Sequence, residues 1–220
     1  MITKSKYLFT SVFFALFLCQ TYAQKKTFGR NKKLHNRLVF FDYRGTNAID
    51  AALGTAYFDG DLPDPEFEVY FRIGYKRHIT NHLGINVIYN KYNIAFKDVY
   101  NEGFMSFDAN LEFLFSPYTK FSPFIQAGYG YNANNYFEAT STKAQGALGF
   151  EYIVMDGVGF RLFGEYNYSF SDELDGLIAG DSDDTFYRIG FGVNLYFGGK
   201  KRKQKLLSRI DTVIQSNLVK

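Results

Sequence analysis

The chain has 220 residues, which is enough for one sizeable domain, and its single cysteine excludes an intramolecular disulfide. Aromatic residues make up 20% of the sequence, with 25 Phe, 18 Tyr and no Trp. The net charge of +3 hides a segregation: residues 48–197 hold nine Lys/Arg against twenty Asp/Glu, whereas residues 24–47 and 198–220 each hold seven Lys/Arg against one Asp.

The first 23 residues have the pattern of a cleaved secretory signal. Two lysines precede an apolar run that ends at Leu18, and cleavage is expected after Ala23. The run is too short for a transmembrane helix. Lipidation of Cys19 is not expected, because Leu18 is larger than a lipidation site normally allows at that position. Export also argues against nucleic acid as the partner of the basic flanks.

Residues 24–47 form a basic segment ahead of the first predicted strand. Within it, Leu38 to Tyr43 suggest a short additional strand or a plug. The rest of the segment shows no clear period. We expect residues 24–47 to lie in the periplasm, on the same side as the C-terminal end of the chain.

Eight stretches of the chain alternate residue by residue between bulky apolar and small or polar side chains. A period of two residues indicates a β-strand with two unlike faces. The alternation is weakest in the third stretch, where Ile88 breaks it. The predicted strands span residues 48–58, 66–76, 83–91, 103–115, 122–132, 143–154, 158–170 and 186–197.

The volumes of the side chains decide which face of these strands points inward. The interior of an eight-stranded barrel is only just wide enough for side chains to fill, so several dozen large apolar groups would not fit there. The bulky faces must point outward, which is tolerable in lipid when the sheet is closed. We therefore predict an all-β fold, an eight-stranded antiparallel up-and-down transmembrane β-barrel with basic periplasmic termini. The alternative is a soluble lipocalin-like barrel with the apolar faces inside.

The connections between the strands differ in length. An even number of strands places both ends of the barrel on one side, and such barrels keep their short turns there, in the periplasm. The short turns carry turn residues such as Asn81, Pro117 and Gly157. The longer predicted connections are residues 59–65, 92–102, 133–142 and 171–185; the shorter ones are 77–82, 116–121 and 155–157.

The inward faces carry charges of both signs. Buried charges must be paired, so we predict a salt-bridge network that fills the lumen; an ion or proton path is the alternative. The members expected to form the network are Glu68, Arg72, Glu112, Glu151, Arg161, Glu165 and Arg188. Further inward candidates are Glu66, Lys76, Asp108, Gln126 and Lys143.

No catalytic, cofactor or metal site is predicted. A lipid-modifying enzyme needs a nucleophile and a base near the outer leaflet, whereas His35 lies in the N-terminal segment and His78 and His82 lie in a predicted exposed periplasmic turn. The acidic stretch 172–184 lacks the spacing of a calcium loop. We expect it to be solvated, or bridged through divalent ions to lipopolysaccharide.

The basic run after Phe197 continues into apolar residues at near-helical spacing, which predicts a short amphipathic helix within residues 198–220. Such a helix could lie on the inner leaflet or dock a periplasmic or secretion-system protein. A tail without fixed structure is the alternative. The apolar residues are Leu206, Leu207, Ile210, Val213, Ile214 and Leu218.

The last strand ends in Gly192-Val193-Asn194-Leu195-Tyr196-Phe197, which resembles the final-strand motif of outer-membrane barrels. In that family the barrel-assembly machinery reads the motif, so the resemblance implies that Gly192, Leu195 and Phe197 form an assembly signal. Residues 48–197 as a whole resemble the small barrels of the OmpA/OmpX type. A second resemblance, of the stretches 60–65 and 101–108, is to barrel proteins associated with curli-type secretion components.

Together these features predict a non-enzymatic barrel in the outer membrane of a Gram-negative cell, acting as a structural or interaction component of the envelope. Its expected surroundings are outer-membrane lipid and lipopolysaccharide. The alternatives are an accessory to a secretion or curli-type fibre-assembly system, an outer-leaflet lipid-modifying enzyme, and a narrow channel.

Overall fold

The chain divides into two units, residues 1–35 and residues 36–220. Helix α1, Gly29–Tyr43, begins in the first unit and ends in the second. No helix in the described parts of the chain is both long and apolar enough to cross a membrane. The predicted signal, residues 1–23, lies outside the described residues. The computed structural model describes residues 29–59, 64–97, 100–137, 139–170 and 184–208.

Eight antiparallel strands form a closed sheet in the second unit. Each strand pairs with the next along the chain, and the last pairs with the first, so the predicted fold class is confirmed. The strands are β1 Asn47–Asp59, β2 Phe67–His78, β3 Leu83–Phe96, β4 Tyr100–Leu114, β5 Phe121–Asn134, β6 Thr140–Met155, β7 Val158–Ser169 and β8 Thr185–Phe197. Helix α2, Lys200–Leu207, follows β8.

The apolar faces point outward, as predicted. Val69 on β2 is 73% exposed, whereas the inward residue Arg72 on the same strand is 1% exposed. The same alternation runs through β8, where Tyr187 and Phe191 are exposed and Arg188 is buried. A closed wall with apolar groups outside matches what a bilayer requires.

Aromatic rings gather at both rims of the outward face. At the end that carries α1 and α2, which we call the inner end, the rings of Tyr75 and Phe197 lie 6.4 Å apart. At the opposite, outer end, Tyr57 and Phe67 lie 4.9 Å apart. These pairs form the two aromatic girdles typical of outer-membrane barrels, built here from Tyr and Phe.

Strand β3 differs from its prediction in two ways. Ile88 does not break the alternation, because it is an inward residue that is 3% exposed. The strand also continues to Phe96, and with β4 it forms a long hairpin whose connection is only residues 97–99. The long loop predicted at 92–102 is therefore wrong. Near its tip, the extended hairpin is held by a bridge between Phe96 and Pro65.

The residues before β1 form the end of helix α1 and not a short strand. A strand at Leu38–Tyr43 would need a free sheet edge to pair with, and the closed barrel has none. Helix α2 agrees with the helix predicted in the C-terminal flank as far as Leu207. The remainder of that prediction, to Leu218, lies outside the described residues.

The outward orientation of the apolar side chains predicts how a charge placed halfway along a strand changes the stability of the barrel. Leu162 lies near the middle of β7 and is 54% exposed. We expect Leu162→Arg to lower the free energy of unfolding by about 2–4 kcal/mol, because the guanidinium would face hydrocarbon. Urea unfolding in phospholipid vesicles, followed by heat-modifiable gel migration, measures the change.

The matched control is Met155→Arg, at the inner end of β6, where the expected loss is below about 1 kcal/mol. Met155 is 63% exposed. Equal losses for both variants would contradict the outward assignment.

Candidate functional site

Buried ion pairs join strands that are far apart in the sequence. Near the inner end, Arg72 on β2 donates to Asp50 on β1 over 2.7 Å. Arg161 on β7 reaches Asp50 at 3.1 Å and Glu112 on β4 at 2.7 Å. Lys76 donates to Glu112 over 2.6 Å. These five residues form a continuous chain of charges across the lumen, which we call the inner network.

A second chain of charges, the outer network, lies closer to the outer end. Asp108 on β4 accepts from Lys143 on β6 and from Arg188 on β8, each at 3.1 Å. Arg188 also binds Glu165 on β7. Asn167 accepts from Lys143 over 2.7 Å. Each ion is buried, so its partners replace the water it lost on folding.

Aromatic rings pack on the buried guanidinium groups. The Arg72 carbon Cζ lies 3.9 Å from the ring centroid of Phe163, and Arg161 stands at the same distance over Phe124. A ring face attracts a cation most strongly when water is excluded. These rings therefore stabilise the cations without adding a titratable group.

Arg44 enters the inner end of the barrel from the segment after α1. Its Nε donates to Glu151 over 2.7 Å, and its Nη1 donates to the backbone oxygens of Pro117 at 2.9 Å and Thr119 at 3.0 Å. Burial by itself lowers the pKa of Arg44, but the neighbouring Glu151 carboxylate raises it above the usual arginine value. Arg44 is thus held charged as a plug, one residue beyond the stretch Leu38–Tyr43 for which a strand or a plug was expected.

Rings complete the closure at the inner end. His78 packs edge-on against Phe40, with ring centroids 5.2 Å apart, and stacks on Tyr196 at 5.9 Å. Tyr196 donates to Glu151, the partner of Arg44. The prediction that His78 lies exposed in a turn is wrong: it is 4% exposed at the end of β2, because α1 covers it.

An aromatic cluster, the outer cap, closes the other end. Phe186 stacks on Tyr92 at 5.4 Å and on Phe58 at 5.9 Å. Phe58 meets Phe96 of the long hairpin at 6.0 Å, and Tyr92 stacks on Phe104 at 6.2 Å. All five rings are at most 3% exposed. The described part of the interior is therefore filled with side chains from Arg44 to the outer cap.

Most of the predicted lumen residues are buried and take part in the ion pairs described above. Glu68 differs from the others, because it is half-buried near the outer end of β2 and takes part in none of the described ion pairs. Glu66 precedes β2 and is exposed. Gln126 is buried and accepts from Asn86 over 3.1 Å. The buried, ion-paired predictions are Arg72, Lys76, Asp108, Glu112, Lys143, Glu151, Arg161, Glu165 and Arg188.

Sequence reasoning missed two charged residues of the lumen. Asp50 was detectable, since it alternates with Ile49 and therefore points inward. Arg44 lies before the first strand, where no period marks a side chain as inward. The inward aromatic residues were missed as well, although strand alternation would have placed Tyr70 and Phe163 inside.

The residues of the predicted assembly signal lie on both faces of β8. Gly192 faces inward, where an added Cβ would meet the backbone oxygen of Ala51 at 2.7 Å. Leu195 and Phe197 face outward and are about half exposed. Recognition of this strand by the barrel-assembly machinery stays a prediction.

The chemistry available to the described residues is that of paired ions. His82 lies at the inner end, with Nδ1 2.8 Å from the backbone oxygen of Leu114. No group of three or more potential metal ligands occurs among the described residues. The acidic loop, 171–183, and the stretch 60–63 lie outside them. The candidate site is therefore the lumen itself, with its inner and outer networks and the side chains that close its two ends.

Solved structures share this architecture. Neisserial surface protein A (NspA) matches with 18% identity over 70% of this chain and 98% of its own, at a TM-score of 0.58. The fold is that of the small eight-stranded outer-membrane barrels. No family model and no curated protein sequence matches the chain.

Two further outer-membrane barrels match the chain over a similar range. Ail, the attachment invasion locus protein of Yersinia pestis, matches with 14% identity over 70% of this chain and 99% of its own, at a TM-score of 0.41. The outer membrane enzyme PagL matches with 13% identity over 68% of this chain and 99% of its own, also at 0.41. At 18% identity, the likeness to NspA shows the fold and not an activity.

The inner network predicts a large cost in stability for removing one ion from the barrel. Asp50→Asn leaves Arg72 buried without its carboxylate, so we expect the free energy of unfolding to fall by about 3–5 kcal/mol. Urea unfolding in vesicles measures it.

The control is the double variant with Asp50→Asn and Arg72→Met, which removes both ions and keeps an apolar side chain beside Phe163. It should regain part of the stability that the single variant loses, because the cation at position 72 is gone and Arg161 keeps its second carboxylate, Glu112. A double variant no more stable than the single one would contradict this account.

Proposed function

We propose that this chain is a non-enzymatic component of the outer membrane of a Gram-negative cell, acting through surfaces at the two ends of a closed barrel. The observation that carries the proposal is the filled interior. Six buried cations form ion pairs with five buried anions across the lumen, and the aromatic outer cap closes its outer end. A protein built in this way meets its partners at its ends or on its wall.

The outer end presents aromatic groups for interaction. The connection between β5 and β6 places Tyr136, 78% exposed, and Phe137, 56% exposed, beyond the strands. Phe137 is held with a positive φ of 60°, a conformation uncommon for such a residue. Exposed rings at a loop tip favour contact with another molecule. Lipopolysaccharide and surface ligands are the partners within reach of this end.

The enzyme alternative needs a base near the outer leaflet, as in any barrel that acts on lipids there. His78 is buried at the inner end and His82 lies in an inner turn, so both are placed at the end opposite to such a site.

The secretion alternative rests on residues at the outer end and on the C-terminal flank. The stretch 101–108 belongs to β4, where its inward residues Phe104, Ser106 and Asp108 serve the outer cap and the outer network. These contacts account for the residues structurally. A role in curli-type assembly remains an untested hypothesis, as does a protein partner for residues 198–220.

Orientation and surface display can be tested by cysteine labelling. If the signal is cleaved after Ala23, the mature chain has no cysteine, so a single added thiol is specific. We expect Tyr136→Cys to react with a membrane-impermeant maleimide in intact cells. The matched variant Leu207→Cys, also exposed, should react only after the outer membrane is permeabilised. The reverse pattern would overturn the assignment of the ends.

The filled lumen predicts the behaviour of the protein in planar bilayers. We expect no discrete conductance steps, because buried side chains occupy the space that ions would need. Steps whose size changes when Arg72 or Glu112 is neutralised would support the channel alternative instead. In parallel, altered lipid A or phospholipid on overexpression would support the enzyme alternative.

A further inference from the structure

Helix α2 leaves the barrel wall in a fixed direction. Phe197 ends β8 within the inner aromatic girdle, and Gly198 and Gly199 then turn the chain with φ values of 79° and 92°. A Cβ at Gly199 would lie 2.7 Å from the ring of Phe41. Gly199, just before the helix, therefore lies close to Phe41 of α1, while no residue of α2 itself is buried.

A single ion pair ties this helix to α1. Lys203 binds Asp42, and both side chains are only partly exposed. The tie uses one cation of the helix and leaves its other four exposed. These are Lys200, Lys201, Arg202 and Lys205.

Arg77 extends the same positive surface along the wall. It faces outward at the end of β2, and the pairing register places it beside Asn47, which in turn lies beside Phe197. Arg77 is exposed, so its guanidinium stands at the height of the inner girdle. We call Arg77 and the four exposed cations of α2 the basic inner surface. Two acidic residues also lie at the inner end: Asp42, which is bound to Lys203, and Asp156 in the turn between β6 and β7.

The electrostatics of α2 are unfavourable for the helix alone. Its first turn holds Lys200, Lys201, Arg202 and Lys203, where the free N–H groups already carry positive partial charge. Gly199 provides no side-chain cap, and residues 198–208 contain no acidic residue. A nearby layer of negative charge would relieve this repulsion.

We infer that the basic inner surface binds the anionic phospholipid headgroups of the leaflet that surrounds the inner end. Phe197 and Tyr75 mark where the hydrocarbon ends, and the cations follow within a few residues, at the level where phosphates lie. Each Lys or Arg near an anionic surface gains about a fivefold preference for it. The barrel thus selects the lipids around its inner end.

This inference deepens the proposed function at the inner end, whereas the exposed rings of Tyr136 and Phe137 lie at the outer end. The labelling of Tyr136→Cys from outside does not depend on α2, so either proposal can fail alone. A periplasmic protein and the peptidoglycan polymer are the other anionic partners that this surface could meet, and the experiment separates them.

The test uses the full chain in phosphatidylcholine vesicles with trace spin-labelled phosphatidylglycerol or spin-labelled phosphatidylcholine. We expect the wild-type barrel to prefer phosphatidylglycerol. A variant with Lys200, Lys201, Arg202 and Lys205 each changed to Gln should lose at least about fivefold in this preference. Salt at 1 M should weaken the wild-type preference by screening.

The matched control changes two exposed or half-exposed cations of the outer end, Lys91→Gln and Lys97→Gln, and should keep the preference for phosphatidylglycerol. Heat-modifiable migration verifies that every variant is folded. An unchanged preference in the α2 variant would overturn the inference. Binding of the wild-type barrel to isolated peptidoglycan or to a periplasmic protein would also overturn the inference, if that binding depends on α2 and the barrel shows no preference for phosphatidylglycerol.

Discussion

A bilayer core offers the peptide backbone no hydrogen-bond partner, and closure of the sheet by the pairing of β8 with β1 answers that constraint. Once the wall is closed, the side chain of every strand residue points either into the lumen or away from it. The outside must tolerate hydrocarbon, and Val69 and Leu162 do so. The inside must fill a narrow space without water, which determines how the lumen is built.

Charges inside such a space are stable only when they are paired, and here they are paired between distant strands. Arg161 joins Asp50 on β1 to Glu112 on β4, so one side chain ties three separate parts of the wall together. The rings of Phe163 and Phe124 shield the cations further. The networks therefore add specificity to the barrel: a slipped strand would leave ions unpaired, at a cost of several kcal/mol.

The two ends of the barrel are closed by different kinds of side chain, so the surfaces at the two ends differ in chemistry. A charged plug, Arg44, closes the inner end beside a strongly basic helix. Aromatic packing around Phe186 closes the outer end, below a loop that exposes Tyr136. Because side chains occupy the interior, the protein can contact lipids and other molecules at its two ends and along its outer wall.

The sequence by itself determined the number of strands, the closed architecture and the facing of residues such as Arg72 and Arg188, because alternation is a local property of each strand. It did not determine that Arg161 meets Asp50, that Arg44 enters the lumen, or that β3 and β4 extend into a long hairpin. Those features depend on register and on distances across the lumen, and Arg161 and Asp50 are 111 residues apart. Only the tertiary structure brings such residues together, since no local period encodes which charges will face each other once the barrel has closed.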